Sequence, residues 1–420
     1  MEYLKATISR HLDPIRSVSK LLVLQISIGI IGFVNVLLIG KHLTPEGYAS
    51  FALMLSVYYT FSLFISPIRQ VINKEMPILF ERGEQGKVKY VYTRSASFIG
   101  LLMALAFFLV LVWKQGLMRL LKIEDPSILF SIAAMVLVNM LLDIFKSMSN
   151  ADRDYKQYSR IFYIEAFIRL GATIAFIIFF MSPLTATLSY ILGSLSALLY
   201  AIYANRWMFT IETYHPSKKI KWSWLVPVVL SSFVFVGFNA GDMVLVKVLL
   251  DSYEAGLYGA ATQISKIFII IGVAFTVYMF PITSSAAKRG TPIIKKMLAS
   301  GLTYLALATI GLLGLMQFNK PFIVLLFNEN YLSAGLLSVV LAAGMIMLCI
   351  SQFFIQLFLV LESKKILCIL LGLVVVDYAA IILYGDSPIK IAMIHTLFIG
   401  ASLLSCLGSL MYLKHRNLVT

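Results

Sequence analysis

Twelve apolar segments, nearly all long enough to cross a bilayer, run the length of this chain and leave little polar sequence between them. They fall at 21–39, 48–66, 97–113, 127–145, 161–181, 185–204, 225–249, 256–280, 298–316, 335–359, 366–384 and 388–412. A transmembrane helix needs about 20 mostly apolar residues. Lipid admits only elements that satisfy their own backbone, so helices or closed barrels must carry a chain across. The composition agrees, with 13% charged residues against about 25% in a soluble chain. The expected fold is an all-α polytopic integral membrane protein, with twelve transmembrane helices in two six-helix bundles around a central cavity. The tightest turn, Ser182-Pro183-Leu184, separates the fifth and sixth segments, and its proline reads as a helix stop.

An even number of spans puts both termini on one side, and lysine and arginine decide which. On the side of the N-terminus the loops carry 26 of the 35 basic residues, against 6 on the other side. Both termini are therefore expected in the cytoplasm. The same asymmetry accounts for the net charge of +15. That charge is spread over short loops and not gathered on one face, which argues against a nucleic-acid partner and for contact with anionic headgroups. The first 20 residues are polar and lack the pattern of a cleaved secretory signal. Cys349, Cys368 and Cys406 all fall inside apolar spans, so no disulfide framework is expected. The sequence contains no CxxC, HExxH, GxxxxGK[ST] or GxSxG, hence no sign of an ATPase or hydrolase. No cofactor or metal is expected.

The polar stretch 205–222 divides the chain into an N-terminal lobe, 1–204, and a C-terminal lobe, 223–420, of six spans each. The two halves echo each other. The first pair of spans is joined through Lys41-His42-Leu43-Thr44-Pro45-Glu46-Gly47-Tyr48, the seventh and eighth through Asp251-Ser252-Tyr253-Glu254-Ala255-Gly256-Leu257-Tyr258. Both connections end in an acid, a glycine and a tyrosine, and both following spans end near a proline, Pro67 and Pro281. Repeats of six spans share orientation, so an axis along the membrane normal should relate them. Two such bundles enclose a cavity that opens to either side by rocking.

The segment from Gly32-Phe33 to Gly47-Tyr48, the Asn239-Ala240-Gly241-Asp242 stretch, and Phe322 through Asn328-Glu329-Asn330-Tyr331 with Ala334 resemble the Wzx-type polysaccharide flippases. These form a branch of the multidrug/oligosaccharidyl-lipid/polysaccharide exporter superfamily. The family usually has glycine where this chain has Asn328 or Glu329. The resemblance covers the whole chain in length, span count and lobe division. It implies transfer of undecaprenyl-diphosphate-linked oligosaccharide to the outer leaflet of the bacterial inner membrane for O-antigen (lipopolysaccharide) assembly. Its expected partners are that lipid, the bilayer, and a polysaccharide polymerase with its chain-length regulator.

Ionisable residues inside spans are costly, by roughly 2.5–3.5 kcal/mol or more at mid-bilayer, and face a cavity or a partner. Lys266 lies ten residues beyond Gly256, about 15 Å into its span. Thr262 and Gln263 lie four and three residues before it, on the same face. It reads either as a cavity cation that meets a diphosphate or as a lysine neutralised by an acid. Asp242 ends a stripe of Ser232, Val236 and Asn239. It could pair with Lys266 or bind a coupling H⁺ or Na⁺, and the resemblance favours an ion-coupling role. Asp377 lies mid-span with no basic residue within one helical turn. It is protonated, paired at a distance, or part of a cation site with Asp242. Glu165 and Arg169 are four apart, acid first, the favourable order for a helix-surface pair. Arg169 would still add positive charge to the lobe interior.

Lys247 is near a span end and should snorkel, and Asp143, near a boundary, should be solvated. Gln25, Gly29, Gly32 and Asn35 form a stripe on the first span that either lines the cavity or packs against a neighbouring helix. Arg69 and Lys74, just past Pro67, either collect an anionic headgroup at the cytoplasmic mouth or serve only as ordinary positive-inside residues. The candidate substrate-binding set is thus Lys266, Arg169, Gln263, Asn239, Asn35, Gln25 and Arg69, and the candidate ion-coupling set Asp242, Asp377 and Glu165. The alternatives are a cation-coupled drug exporter of the same superfamily, whose pocket should be rich in acids, and a membrane-embedded glycosyltransferase or polymerase. The latter normally needs a larger outer loop than 114–126 or 317–334.

Overall fold

The computed structural model describes residues 23–152, 154–214, 225–289, 293–360 and 363–415. Among these, twelve helices are long and apolar enough to cross a membrane. They are α1 (Val23–His42), α2 (Pro45–Glu81), α3 (Gln85–Val112), α4 (Pro126–Ala151), α5 (Tyr155–Phe179) and α6 (Pro183–Ala204) in the first half. The second half has α7 (Val226–Leu249), α8 (Ser252–Arg289), α9 (Ile293–Leu326), α10 (Ala334–Val360), α11 (Lys364–Tyr384) and α12 (Pro388–His415). No strand occurs among the described residues. Of the segment between the halves, 215–222 lies outside the described residues. Trp207 stacks edge-on against Phe80, 6.5 Å between ring centroids, beside α2.

Local chemistry sets the helix starts. Thr44, Asp125 and Ser182 cap α2, α4 and α6 by accepting from Gly47, Ser127 and Thr185 backbone N–H groups at 3.3, 2.8 and 3.2 Å. In each case a proline follows at the first helical position, where its missing N–H costs nothing. Pro183 therefore opens α6 and does not close α5, which ends at Phe179. Pro67 and Pro77 lie inside α2, which runs unbroken to Glu81. Neither proline ends the helix, as membrane helices commonly tolerate.

The bundles α1–α6 and α7–α12 meet along α2, which packs on both α7 and α8. Large apolar side chains of α3 and α9, among them Phe108, Leu109, Ile310 and Leu313, are exposed, as lipid-facing helices require. The ends of the molecule differ. At the end opposite the basic loops the two bundles are sewn together through backbone carbonyls. Lys122 donates to the carbonyl of Leu250, Asn328 Nδ2 to that of Lys41 at 3.2 Å, and Tyr331 to that of Leu43 at 3.0 Å. Burial raises the pKa of the Tyr331 phenol, which keeps it a donor. Beneath these bonds, fully buried Tyr48 meets Phe327 and Tyr331 edge-on, with centroids 5.5 and 5.9 Å away. Gly256 lies directly against the carbonyl of Pro45, and no residue with a Cβ would fit there. This end is closed, and the cavities described next lie between the aromatic plug and the basic end.

Candidate functional site

A chamber of about 480 Å³ lies between the bundles, walled by α1, α2, α4, α5, α6, α7 and α8. It gathers Gln25 and Gly32 from α1, Lys146 from α4, Glu165 and Arg169 from α5, Asn239 from α7, and Gln263 and Lys266 from α8. Three cations thus line the chamber against one carboxylate. Arg169 is held with its guanidinium over the Tyr190 ring, 4.6 Å from the centroid, and 3.7 Å from Glu165. Lys266 Nζ sits 5.0 Å over the Tyr59 ring. Such cation–π contacts stabilise a desolvated ammonium by about 2 kcal/mol while leaving its N–H donors available. No carboxylate pairs with Lys266 among the described residues, and Asp242 bonds elsewhere.

Lys146 is the member that the sequence did not flag, because the fourth apolar segment stops at 145. The helix continues to Ala151, which carries Lys146 inward. Its Nζ lies 2.7 Å from Glu165, 3.7 Å from Asp143 and 4.4 Å over the Phe162 ring. Asp143 in turn faces Arg69 at 3.8 Å. A ladder of alternating charge, Arg69–Asp143–Lys146–Glu165–Arg169, therefore climbs from the mouth into the chamber. Asp143, expected to be solvated, is buried in this ladder, since only paired charges tolerate burial. Arg69 is 40% exposed at the mouth. Asn35 is fully buried and lies outside the chamber lining. Lys247 does not snorkel; it is buried and donates to Ser252 Oγ at 2.8 Å, tying α7 to the start of α8.

A second polar cluster lies in the C-terminal bundle, with one bond reaching it from α2 of the other bundle. At its centre α7 contains a π-helical turn, Gly237–Gly241. Such a turn widens the helix and releases carbonyls from the normal ladder, often at functional sites. Three side chains from three helices take up those carbonyls. Ser56 of α2 donates to Ala240 O, Tyr378 of α11 to Gly237 O at 2.9 Å, and His395 Nε2 of α12 faces Phe238 O at 3.0 Å. The other ring nitrogen, Nδ1, lies 2.7 Å from Asp377 Oδ2. His395 Nε2 is also 3.9 Å from Asp242 Oδ2, and that oxygen accepts from Tyr258 at 2.6 Å. Asp242, Asp377, His395 and Tyr258 are all fully buried. With Asp377 ionised, both imidazole nitrogens face acceptors, and only the doubly protonated ring satisfies both. One further oxygen of each carboxylate, Oδ1, has no partner.

The two clusters are neighbours along the chain. Asn239 faces the chamber one turn before Asp242, and Gln263 and Lys266 follow Tyr258 on α8. The sequence singled out both aspartates but not His395, which carries no formal charge in a count and sits alone in an apolar span. Its only sequence signal is its mid-span depth.

Comparison with known proteins places the architecture. Residues 15–287 match the family described as polysaccharide biosynthesis protein. No curated protein sequence matches the chain. Among solved structures, an inward-facing multidrug resistance MATE family transporter of the MOP superfamily superposes with a TM-score of 0.69 at 11% identity, over 94% of this chain and 99% of that one. The lipid II flippase MurJ in an inward closed conformation gives 0.66 at 14% identity, over 93% and 87%. A MOP superfamily transporter from Pyrococcus furiosus gives 0.58 at 11% identity, over 95% of each chain. At such identities the likeness is one of fold. Taken with the family match over most of its length, it makes this chain a multi-pass membrane protein of the polysaccharide biosynthesis protein family, with the fold of the transporters on which it superposes.

Proposed function

We propose that the protein flips an undecaprenyl-diphosphate-linked oligosaccharide from the cytoplasmic to the periplasmic leaflet of the bacterial inner membrane, for surface polysaccharide of the O-antigen kind. The observation that carries the reading is the chamber itself, where Lys146, Arg169 and Lys266 outnumber Glu165. A cationic chamber in the membrane suits an anionic headgroup and would repel a cationic drug. The diphosphate is drawn in at Arg69, passes along the charge ladder, and meets Lys266 beneath the aromatic plug. Along the ladder each step exchanges a carboxylate partner of Arg69, Lys146 or Arg169 for the diphosphate, and Lys266, over the Tyr59 ring, gains its first anionic partner at the end. The polyprenyl tail stays in lipid.

With both termini cytoplasmic, the sewn end is periplasmic and the cavity faces the cytoplasm. Transport then requires that end to open and the basic end to close. A negative interior favours outward movement of an anion by about 2.3 kcal/mol per charge per 100 mV. A proton taken up and released by the Asp242–His395–Asp377 cluster adds a second drive. Loss of the proton from His395 forfeits one of its two bonds and loosens α12 from the π-turn of α7. Because α7 and α8 also carry Asn239, Gln263 and Lys266, the change reaches the chamber directly. The group acts by binding and movement, and no bond of the substrate breaks.

The test is a deletion strain in which lipid-linked sugars and surface polysaccharide are assayed. Wild type should restore surface polymer, while Lys266→Ala should leave lipid-linked intermediates inside. Normal polysaccharide with raised sensitivity to cationic dyes in the deletion strain would point instead to a drug exporter.

A further inference from the structure

Beside the cationic chamber lies a second cavity of about 610 Å³ that no charge pattern announces. It is within the roughly 300–1,000 Å³ range of small-molecule sites. It is walled by α2, α7, α8 and α10 and reaches from Asn239, at mid-membrane, to Arg69 and Gln70 at the basic end. Its polar lining is almost wholly hydroxyl and amide. Ser62, Ser66 and Gln70 form a stripe on α2, Ser232 and Asn239 one on α7, and Gln352 and Gln356 one on α10. No carboxylate lines it among the described residues. Its one cation, Arg69, stands at the mouth.

Two of these groups are buried without a partner, the Oδ1 of Asn239 and the Nε2 of Gln352. A buried amide atom left unpaired is costly and is rarely kept without a reason. Here an acceptor and a donor face one cavity, and Asn239 is only 8% exposed. Groove and chamber share Tyr59, Phe235, Asn239 and Ile269 as a common wall. Tyr59 is also the ring beneath Lys266. A ligand whose diphosphate lies at Lys266 therefore has its next chemical unit at Tyr59 and Asn239.

From this juxtaposition we infer that the groove is a glycan-reading site for uncharged, hydroxyl- and acetamido-bearing sugars. The inference rests on the flippase reading of the chamber. In a glycosyl diphosphate the first sugar is bonded directly to the phosphate that the chamber holds. That sugar crosses at Asn239, its apolar face against the Tyr59 and Phe235 rings. The following sugars run down the groove between Gln70 of α2 and Gln352 and Gln356 of α10. Planar amides offer a donor and an acceptor side by side, which matches neighbouring sugar hydroxyls or an acetamido group. Because the groove reaches the basic end, its mouth leaves room for a glycan of several residues. The chamber thus selects for the carrier lipid and the groove for the sugar.

The experiment is a binding assay on the purified full chain in lipid nanodiscs with three probes. These are a short-chain polyprenyl diphosphate, the same lipid bearing an N-acetylhexosamine disaccharide, and the same lipid bearing a hexuronic acid disaccharide. Wild type should bind the acetamido probe about tenfold or more tighter than the bare lipid. Gln352→Leu and Gln356→Leu should each weaken the acetamido probe about five- to tenfold and leave the bare lipid unchanged, which also shows that the variants are folded. Lys266→Ala should weaken all three probes. Equal wild-type binding of bare and acetamido probes, equal loss of both in the glutamine variants, or preference for the hexuronic acid would each overturn the glycan site. Failure of wild type to bind any probe would instead overturn the flippase reading beneath it.

Discussion

His395 Nδ1 lies 2.7 Å from Asp377 Oδ2, both side chains fully buried, and the same imidazole reaches the π-turn of α7 through Nε2. The contact binds α11, α12 and α7 at one point in the C-terminal bundle. Removing one partner of a buried ion pair costs about 3–5 kcal/mol, while replacing both can be nearly neutral. Asp377→Asn and His395→Gln should each lower the thermal unfolding temperature of the purified protein. The double variant should be less unstable than the sum of the two, a coupling that a double-mutant cycle reads directly. Strict additivity would contradict the pairing.

The same cluster is the proposed proton site. The titratable groups that face His395 are Asp377 on α11, Asp242 on α7, and, through Asp242, Tyr258 on α8. In proteoliposomes, an imposed proton gradient should speed wild-type flipping and have no effect on His395→Gln, whose residual rate should follow the membrane potential alone. An unchanged response of His395→Gln to the gradient would remove the cluster from coupling.

Gly256 against the Pro45 carbonyl is what lets the two bundles close at the end opposite the basic loops. Gly256→Val should hold that end open. In a background with Cys349, Cys368 and Cys406 replaced, a cysteine placed at Asn239 should be reached in Gly256→Val by an impermeant maleimide added on the side opposite the basic loops. It should be shielded from that side when Gly256 is kept. Equal labelling of both would show that this packing does not form the closed end.

Lys146 anchors the charge ladder through Glu165 at 2.7 Å. Lys146→Met should leave Asp143 and Glu165 without their shared cation and destabilise the protein by about 3–5 kcal/mol. Lys146→Arg should retain most stability. Denaturant unfolding of the two variants compares them, and equal losses would mean that the packing of the lysine stem, and not its charge, is what matters.

The twelve helices were legible because length and hydropathy are summed over about 20 residues and tolerate local error. Gln25, Glu165, Arg169, Asn239, Gln263 and Lys266 could be picked out because a polar group at mid-span is costly anywhere but at a cavity or a partner. The structure brings these six to one chamber. Helix ends were less legible. Pro67 marks no end in α2, and the apolar run of α4 stops before its helix does, which hid Lys146. His395 escaped because a histidine lowers hydropathy little and counts as neutral, and its partner Asp377 is 18 residues away on another helix. The pairing of Asp242 with Tyr258 instead of Lys266 depends on the rotation of α8 about its axis, which a sequence stripe constrains only to within a face. The groove of Gln352 and Gln356 depends on four helices meeting, and no single stripe reveals that.

The most direct measurement of the central claim is flipping itself. Purified protein is reconstituted into vesicles with a fluorescent polyprenyl-diphosphate sugar, and the fraction that an external quencher reaches is followed over time. The account predicts transfer by wild type and a loss of about 10- to 100-fold for Lys266→Ala, with Lys266→Arg retaining most of the rate. Wild-type transfer equal to that of protein-free vesicles, or undiminished transfer by Lys266→Ala, would contradict it.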